Sequence, residues 1–151
     1  VNVFRFVVSL SEFDQTCYED GTTPRMKYVE NLFTILTNSE SLDLFEQTIN
    51  SKFFIDTPIV LFLNKTDVFK EKIGANKQIS QMFPDFKGDN SNFDHGYDFI
   101  RQKYESHNKN PNRKIYSHPT CAMEDKQVQK VFETVKDIFV KKENKDPEKF
   151  N

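Results

Sequence analysis

Two short segments, each directly after a predicted strand, carry the side chains best suited to bind a ligand. The segment Asn64-Lys65-Thr66-Asp67 follows the apolar run 58–63, and the segment Thr120-Cys121-Ala122 follows residues 115–119. A carboxylate such as that of Asp67 accepts two neighbouring N–H donors at once in a bidentate pair. Ligands of parallel sheets bind in the loops at the carboxyl ends of the strands. The sequence therefore predicts a ligand site where these two segments meet.

The scarcity of glycine limits the nucleotide chemistry of this chain. The 151 residues include sixteen Phe and no Trp, but only four Gly. Loops of the GxxxxGK[ST] or GxGxxG type need closely spaced glycines to cradle a phosphate group. The nearest pair here is Gly88 and Gly96, and no lysine–hydroxyl pair follows at the required position. We therefore expect that the chain has no phosphate loop of its own.

Charge and cysteine content narrow the class of protein. Lys and Arg total 21 against 23 Asp and Glu, so no basic excess indicates a nucleic-acid partner. Cys17 and Cys121 lie far apart and the three histidines are scattered, which argues against a disulfide framework and a clustered metal site. The apolar runs are shorter than the roughly 20 residues of a membrane span, and residues 1–10 lack the features of a signal peptide. These observations predict a globular domain in a reducing, intracellular environment.

Strand patterns and helix patterns alternate along the chain. Strands are predicted at Val3–Leu10, Pro58–Leu63 and Ile115–His118, the first two of them buried. Helices are predicted within Arg25–Asn50 with a break near 37–41, just after Asn64, over Phe93–His107, and from Asp125 onward, whereas 74–92 is predicted to be irregular. Strands separated by helices imply parallel pairing and right-handed crossovers. The fold class predicted is α/β, with three strands alternating with helices.

The segment after the second strand resembles the NKxD guanine-recognition motif of GTP-binding proteins. Longer matches look like the heterotrimeric G-protein alpha subunit and cover almost the whole chain, at 11–15, 61–73, 84–88, 115–122 and the last helix. The resemblance implies a parallel-sheet P-loop GTPase-type (Ras-like) domain, of which residues 1–151 are the C-terminal half only. A start without Met, directly in a predicted strand, is expected for such a fragment.

The resemblance implies how the segments would recognise guanine. Asp67 would accept the N1 proton and the exocyclic amine of the base, a donor pair that adenine lacks. The stem of Lys65 would lie against the purine face, while the Asn64 amide braces the loop and approaches the far edge of the base. The N–H of Ala122 would donate to O6, with small neighbouring residues admitting the base. The implied cofactor-binding residues are Asn64, Lys65, Asp67, Thr120, Cys121 and Ala122.

A purely structural interpretation of the same loop stays open. Asn64 and Asp67 are also residue types that form Asx-turns and cap helices after a strand. In that interpretation the segment serves the local fold and contacts no ligand. Both roles are compatible with the sequence.

At the level of the whole protein, the resemblance implies a signalling switch that couples a membrane receptor to effectors through GTP binding and hydrolysis. Its implied cofactors are GTP or GDP and Mg²⁺. Its implied partners are a beta-gamma dimer, a seven-helix receptor and an effector, at the cytoplasmic face of the plasma membrane. The phosphate loop, metal ligands and catalytic residues are absent from this sequence, so the chain alone is predicted to be inactive.

An interaction module derived from such a subunit, unable to bind nucleotide alone, is the alternative. The reading frame upstream of Val1 distinguishes the two hypotheses. An in-frame GxxxxGK[ST] roughly 170 or more residues upstream favours the switch, whereas a start codon just before Val1 favours the module.

Further roles are implied by the same resemblance. Glu19 and Asp20 would lie in an acidic switch loop, and Glu40 would pair with a switch arginine. The loop with Phe53 and Phe54 would contact an effector, and the end of the last helix, 138–151, would contact the receptor.

Two stretches depart from the family pattern. Residues 27–38 are twelve extra positions between Arg25-Met26 and the Ser39-Glu40-Ser41-Leu42 segment, which predicts an insertion. The charged tail 141–151 lacks the common Cys-Gly near its end.

Overall fold

The computed structural model describes residues 3–14, 41–121 and, between 129 and 140, the eight residues 129–131, 133, 134, 136, 137 and 140. The strands are β1 (Phe4–Ser9), β2 (Ile59–Asn64) and β3 (Ile115–Pro119). The helices are α1 (Ser41–Ile49), α2 (Thr66–Gly74), α3 (Ile79–Met82) and α4 (Phe93–Glu105), and a 3₁₀ turn covers Leu10–Glu12. The predicted insertion 27–38, the tail 141–151, and Glu19, Asp20 and Glu40 lie outside the described residues.

The three strands form one parallel sheet in the order β1-β2-β3. Ile59 pairs with Phe4 on one side and with Ile115 on the other. This arrangement confirms the predicted α/β fold class with three parallel strands. Because the strands run in the same direction, Asn64 and Pro119 lie at the same edge of the sheet, as a shared ligand site requires.

The central strand β2 is buried along Ile59–Leu63, as its uninterrupted apolar run predicts. The prediction of a buried first strand is wrong for part of β1. Val8 is buried, but Arg5 is exposed and Val7 is 48% exposed. In the described sheet β1 is an edge strand, and only the face that carries Phe4, Phe6 and Val8 packs against the core.

One face of the sheet packs on a core rich in phenylalanine. Phe45 lies 5.0 Å from Phe6 and 5.4 Å from Tyr104, between ring centroids, and both pairs are edge-to-face. Phe13 and Phe69 form a third edge-to-face pair at 5.3 Å. Such pairs stabilise beyond the area they bury, by about 0.5–1.5 kcal/mol each. Much of the unusual Phe content is therefore core.

A smaller apolar cluster lies on the opposite face of the sheet. Val60 and Phe62 are fully buried there, and Val131 packs against them. The described residues between 129 and 140 are helical, as predicted for the last helix. No helix in the described part of the chain is long and apolar enough to cross a membrane.

Two details of the second half differ from the prediction. Residues 79–82 form the short helix α3 inside a stretch predicted to be irregular, because a single turn is too short to show helical periodicity. Helix α4 begins at Phe93 as predicted, since the side chain of Asn92 accepts a hydrogen bond from the His95 N–H. It ends at Glu105, two residues before the predicted end.

Gly96 is a packing glycine of α4. A Cβ at this position would lie 2.4 Å from Ile79 Cδ1 and 3.1 Å from Phe69 Cζ. Overpacking of this kind costs about 1–3 kcal/mol, so we expect Gly96→Val to lower the free energy of unfolding by that amount in urea denaturation. Gly74→Ala is the matched control, because a Cβ there meets nothing within 4 Å. Equal stability of both variants would contradict the packing role.

Candidate functional site

The loops that follow β2 and β3 are joined through their backbones. The Thr120 N–H donates to the Leu63 carbonyl at 2.9 Å, and the Thr66 N–H donates to the Thr120 carbonyl at 3.2 Å. The first bond continues the β2–β3 ladder, and the second ties the start of α2 to the end of β3. The structure thus brings together the two segments that the sequence analysis singled out.

Side chains add further links between the loops. The Thr120 hydroxyl donates to Asn64 Oδ1 at 3.0 Å. The Thr66 hydroxyl donates to the Thr120 carbonyl at 3.2 Å and lies 3.0 Å from Cys121 Sγ. The Asn64 side chain therefore links the loop after β2 to the loop after β3.

The helix-capping interpretation does not describe this loop. The residue that precedes α2 is Lys65, and no side chain caps the first turn. The Asn64 side-chain oxygen is used by Thr120 instead. The local-fold role of Asn64 is thus a contact between loops rather than a helix cap.

Lys65 turns the chain from β2 into α2. Its backbone is left-handed, with φ 59° and ψ 43°. In the described part of the chain, Asn76 is the other non-glycine residue with positive φ. A strained backbone of this kind costs about 1–3 kcal/mol and clusters at ligand sites. The side chain of Lys65 is exposed.

Asp67 lies in the first turn of α2 with its side chain exposed. Within the described ranges, no donor is hydrogen-bonded to its carboxylate. The amino end of a helix favours a negative charge by roughly 0.3–1 kcal/mol. Asp67 thus presents a carboxylate that is open to a ligand beside the junction of the two loops.

The remaining predicted residues are only partly described. Cys121 is exposed and its thiol is not in a disulfide. Ala122, whose N–H is the implied donor to guanine O6, lies outside the described residues. The structure therefore gives the positions of Asn64, Lys65, Asp67 and residues 120–121, and the role of Ala122 stays a prediction.

Helix α2 is also held at its far end. Lys72 Nζ lies 2.6 Å from both Asp14 Oδ1 and the Ser11 carbonyl oxygen. The side chain of Lys72 is 25% exposed and that of Asp14 is 17% exposed. Solvent therefore screens this ion pair only partly. The helix that carries Asp67 is anchored to the turn after β1 as well as to β3. Sequence analysis missed this contact, because no local pattern marks it.

Phe53 and Phe54, which lie in the loop predicted to contact an effector, differ in exposure. Phe53 is 75% exposed, and Lys52 Nζ lies 5.2 Å from its ring centroid. Phe54 packs against Phe4, with 5.0 Å between the rings. Only Phe53 is thus placed for contact with a partner.

The described residues contain no group of three or more His, Cys, Asp or Glu side chains that could hold a metal ion. The loop junction itself offers hydroxyl, amide and carboxylate groups, which suit an organic ligand with several donors and acceptors. The described part of the chain therefore contains no cluster of ligands for the Mg²⁺ that the resemblance implies.

Comparisons with known proteins show the family to which the chain is similar. A family model described as the G-protein alpha subunit matches residues 1–139. The chain is 40% identical over 140 residues to the guanine nucleotide-binding protein alpha-3 subunit of Caenorhabditis elegans, covering 93% of this chain and 36% of that protein. It is also 40% identical over 136 residues to the alpha-1 subunit of the same organism, covering 89% of this chain and 35% of that protein. The chain spans about a third of the length of these relatives.

Proposed function

The chain belongs to the G-protein alpha subunit family of guanine nucleotide-binding signalling proteins, and from that membership we propose that its two strand-end loops bind the guanine base of GTP and GDP. The observation that carries this proposal is the exposed Asp67 carboxylate beside a braced loop junction. A carboxylate in this position accepts from guanine N1 and from the exocyclic amine together. Adenine offers no such donor pair.

The other groups of the junction complete the proposed contacts. Because the Asn64 side-chain oxygen accepts from Thr120, its amide nitrogen is directed to other acceptors. The stem of exposed Lys65 lies along the purine face, and the backbone of Thr120–Ala122 donates to O6. The left-handed backbone of Lys65 sets the direction in which its side chain leaves the loop.

The wider function that we propose follows from the family. In the whole protein, binding and hydrolysis of GTP would couple a membrane receptor to effectors, with a beta-gamma dimer as partner, at the cytoplasmic face of the plasma membrane. The phosphate groups and Mg²⁺ would be held by residues outside this chain, which contributes base contacts and no catalytic residue. The exposed ring of Phe53 supports an effector surface in the loop after α1.

A nucleotide competition experiment tests the base site. The product of the complete reading frame is incubated with a fluorescent GDP analogue, and GDP, ADP or XDP is added as competitor. We expect GDP to compete more than about tenfold better than either, because a site whose carboxylate accepts from two paired donors rejects a base that lacks that donor pair. Equal competition by ADP would refute guanine recognition.

The interaction-module alternative makes the opposite prediction. In that hypothesis the helix faces and the tail serve a partner, and the loops at 64–67 and 120–122 contact no nucleotide. The reading-frame product then shows no saturable binding of the GDP analogue, and its sequence upstream of Val1 has no GxxxxGK[ST].

A further inference from the structure

Thr66 occupies the variable position between Lys65 and Asp67. Its neighbours are exposed, whereas Thr66 is only 8% exposed and lies between the two loops. A buried hydroxyl needs hydrogen-bond partners, and the partners of Thr66 are both on the loop after β3. The variable residue of the segment is therefore the one that touches the opposite loop.

Thr66 directs both of its donors at a single acceptor. Its backbone N–H and its hydroxyl bond to the Thr120 carbonyl, each at 3.2 Å. The hydroxyl oxygen also lies 3.0 Å from Cys121 Sγ. A hydroxyl has one proton and two lone pairs, so with its proton on the Thr120 carbonyl it accepts from the Cys121 thiol. Thr66 thus holds two consecutive residues of the opposite loop.

The planarity of the peptide bond converts these contacts into orientation. The Thr120 carbonyl and the Cys121 N–H belong to one planar unit. Two donors on that carbonyl fix the plane, and the contact with Cys121 Sγ restrains the next side chain. The direction of the Cys121 N–H therefore depends on the contacts that Thr66 makes with the Thr120 carbonyl.

We propose that Thr66 is a positioning residue for base recognition: its hydroxyl orients the Thr120–Cys121 peptide so that the N–H of this peptide faces the 6-oxo group while Asp67 meets the opposite edge. This inference rests on the proposed function of the two loops. Thr66 itself contacts no base, and its effect is confined to the oxygen side of the purine.

Competition by three nucleoside diphosphates, GDP, IDP and 6-thio-GDP, tests the two edges of the base independently in one assay. IDP lacks the exocyclic amine and reports on Asp67, whereas 6-thio-GDP has a weaker acceptor in place of O6 and reports on the other loop. The reading-frame product and its Thr66→Val and Thr66→Ser variants are compared by competition. Thr66→Val keeps the branched shape and the backbone N–H without the hydroxyl, and Thr66→Ser restores the hydroxyl.

For Thr66→Val we expect GDP to bind about 5- to 10-fold more weakly, the loss of roughly one buried hydrogen bond. In Thr66→Val, the ratio of the affinity for GDP to that for 6-thio-GDP falls toward one, whereas the ratio for GDP over IDP is unchanged. Thr66→Ser behaves as the wild type. Unchanged ratios in Thr66→Val, or equal loss for all three nucleotides, would overturn the positioning role. If the valine variant does not fold, Thr66→Ala gives the same comparison.

The failures of the two proposals are distinguishable. A wild-type protein without preference for GDP over ADP refutes the guanine site and this inference with it. A wild-type preference for guanine with normal ratios in Thr66→Val refutes Thr66 alone and leaves the site at Asp67 intact.

Discussion

Replacement of Asp67 by asparagine is expected to weaken GDP binding by about 100-fold, because asparagine keeps one acceptor and loses one hydrogen bond to a charged group, which is worth about 1.5–3 kcal/mol. The asparagine side chain presents one acceptor and one donor where the carboxylate presents two acceptors. Xanthine has an N1 proton and a carbonyl in place of the exocyclic amine, so it matches the new pair. We therefore expect Asp67→Asn to prefer XDP to GDP, measured by competition on the reading-frame product.

Asp94→Asn is the matched control for this exchange. Asp94 is exposed in the first turn of α4, just as Asp67 is exposed in the first turn of α2. Both exchanges remove one charge from the amino end of a helix, but only Asp67→Asn acts on the loop junction. Guanine preference that survives in Asp67→Asn, or is lost equally in Asp94→Asn, would sink the proposed base contact.

Replacement of Arg113 by methionine is expected to lower the free energy of unfolding by about 3 kcal/mol or more. Arg113 is 7% exposed. Its guanidinium donates to the carbonyls of Ile49 and Phe54 at 2.6 and 2.7 Å and to Asn108 Oδ1 at 2.8 Å. Burial lowers the pKa of Arg113, and the nearby Asp56 raises it. Methionine fills similar space but leaves these buried acceptors without their donor.

Arg101→Met provides the comparison for the loss of an arginine. Arg101 pairs with Asp98 and Glu105 on the surface of α4, and exposed pairs contribute about 0–1 kcal/mol. Urea denaturation of Arg113→Met, Arg113→Lys and Arg101→Met measures the difference. Arg113→Lys is expected to recover little of the lost free energy of unfolding, because a single ammonium group cannot contact all the acceptors that the planar guanidinium reaches. Similar losses in Arg113→Met and Arg101→Met would refute the central role of Arg113.

Short-range patterns predicted the sheet and the place of the loops. The apolar run ending at Leu63 marked β2, and the alternation of strands with helices predicted the parallel order that brings Asn64 near Thr120. The family comparison confirms the resemblance that these loops suggested. The role of the individual residues in binding guanine stays a prediction.

Contacts between distant residues could not be predicted from the same patterns. The bond from Lys72 to Asp14 joins positions 58 apart, and that from Arg113 to Ile49 joins positions 64 apart. Neither residue type nor spacing distinguishes these cations from surface ones. The role of Thr66 could not be predicted for a related reason. Its burial depends on the loop after β3, which the residue types of the segment 64–67 do not specify.

The bonds that join the two loops also determine when the site can form during synthesis and folding. They connect residues 54 to 56 positions apart, and closing a loop of that length costs chain entropy before any contact repays it. Helices α2 and α4 can form from local contacts well before that closure. We therefore expect the junction to assemble late, after Cys121 has left the ribosome, so that a nascent chain paused earlier has the Asp67 helix but no second loop to face it.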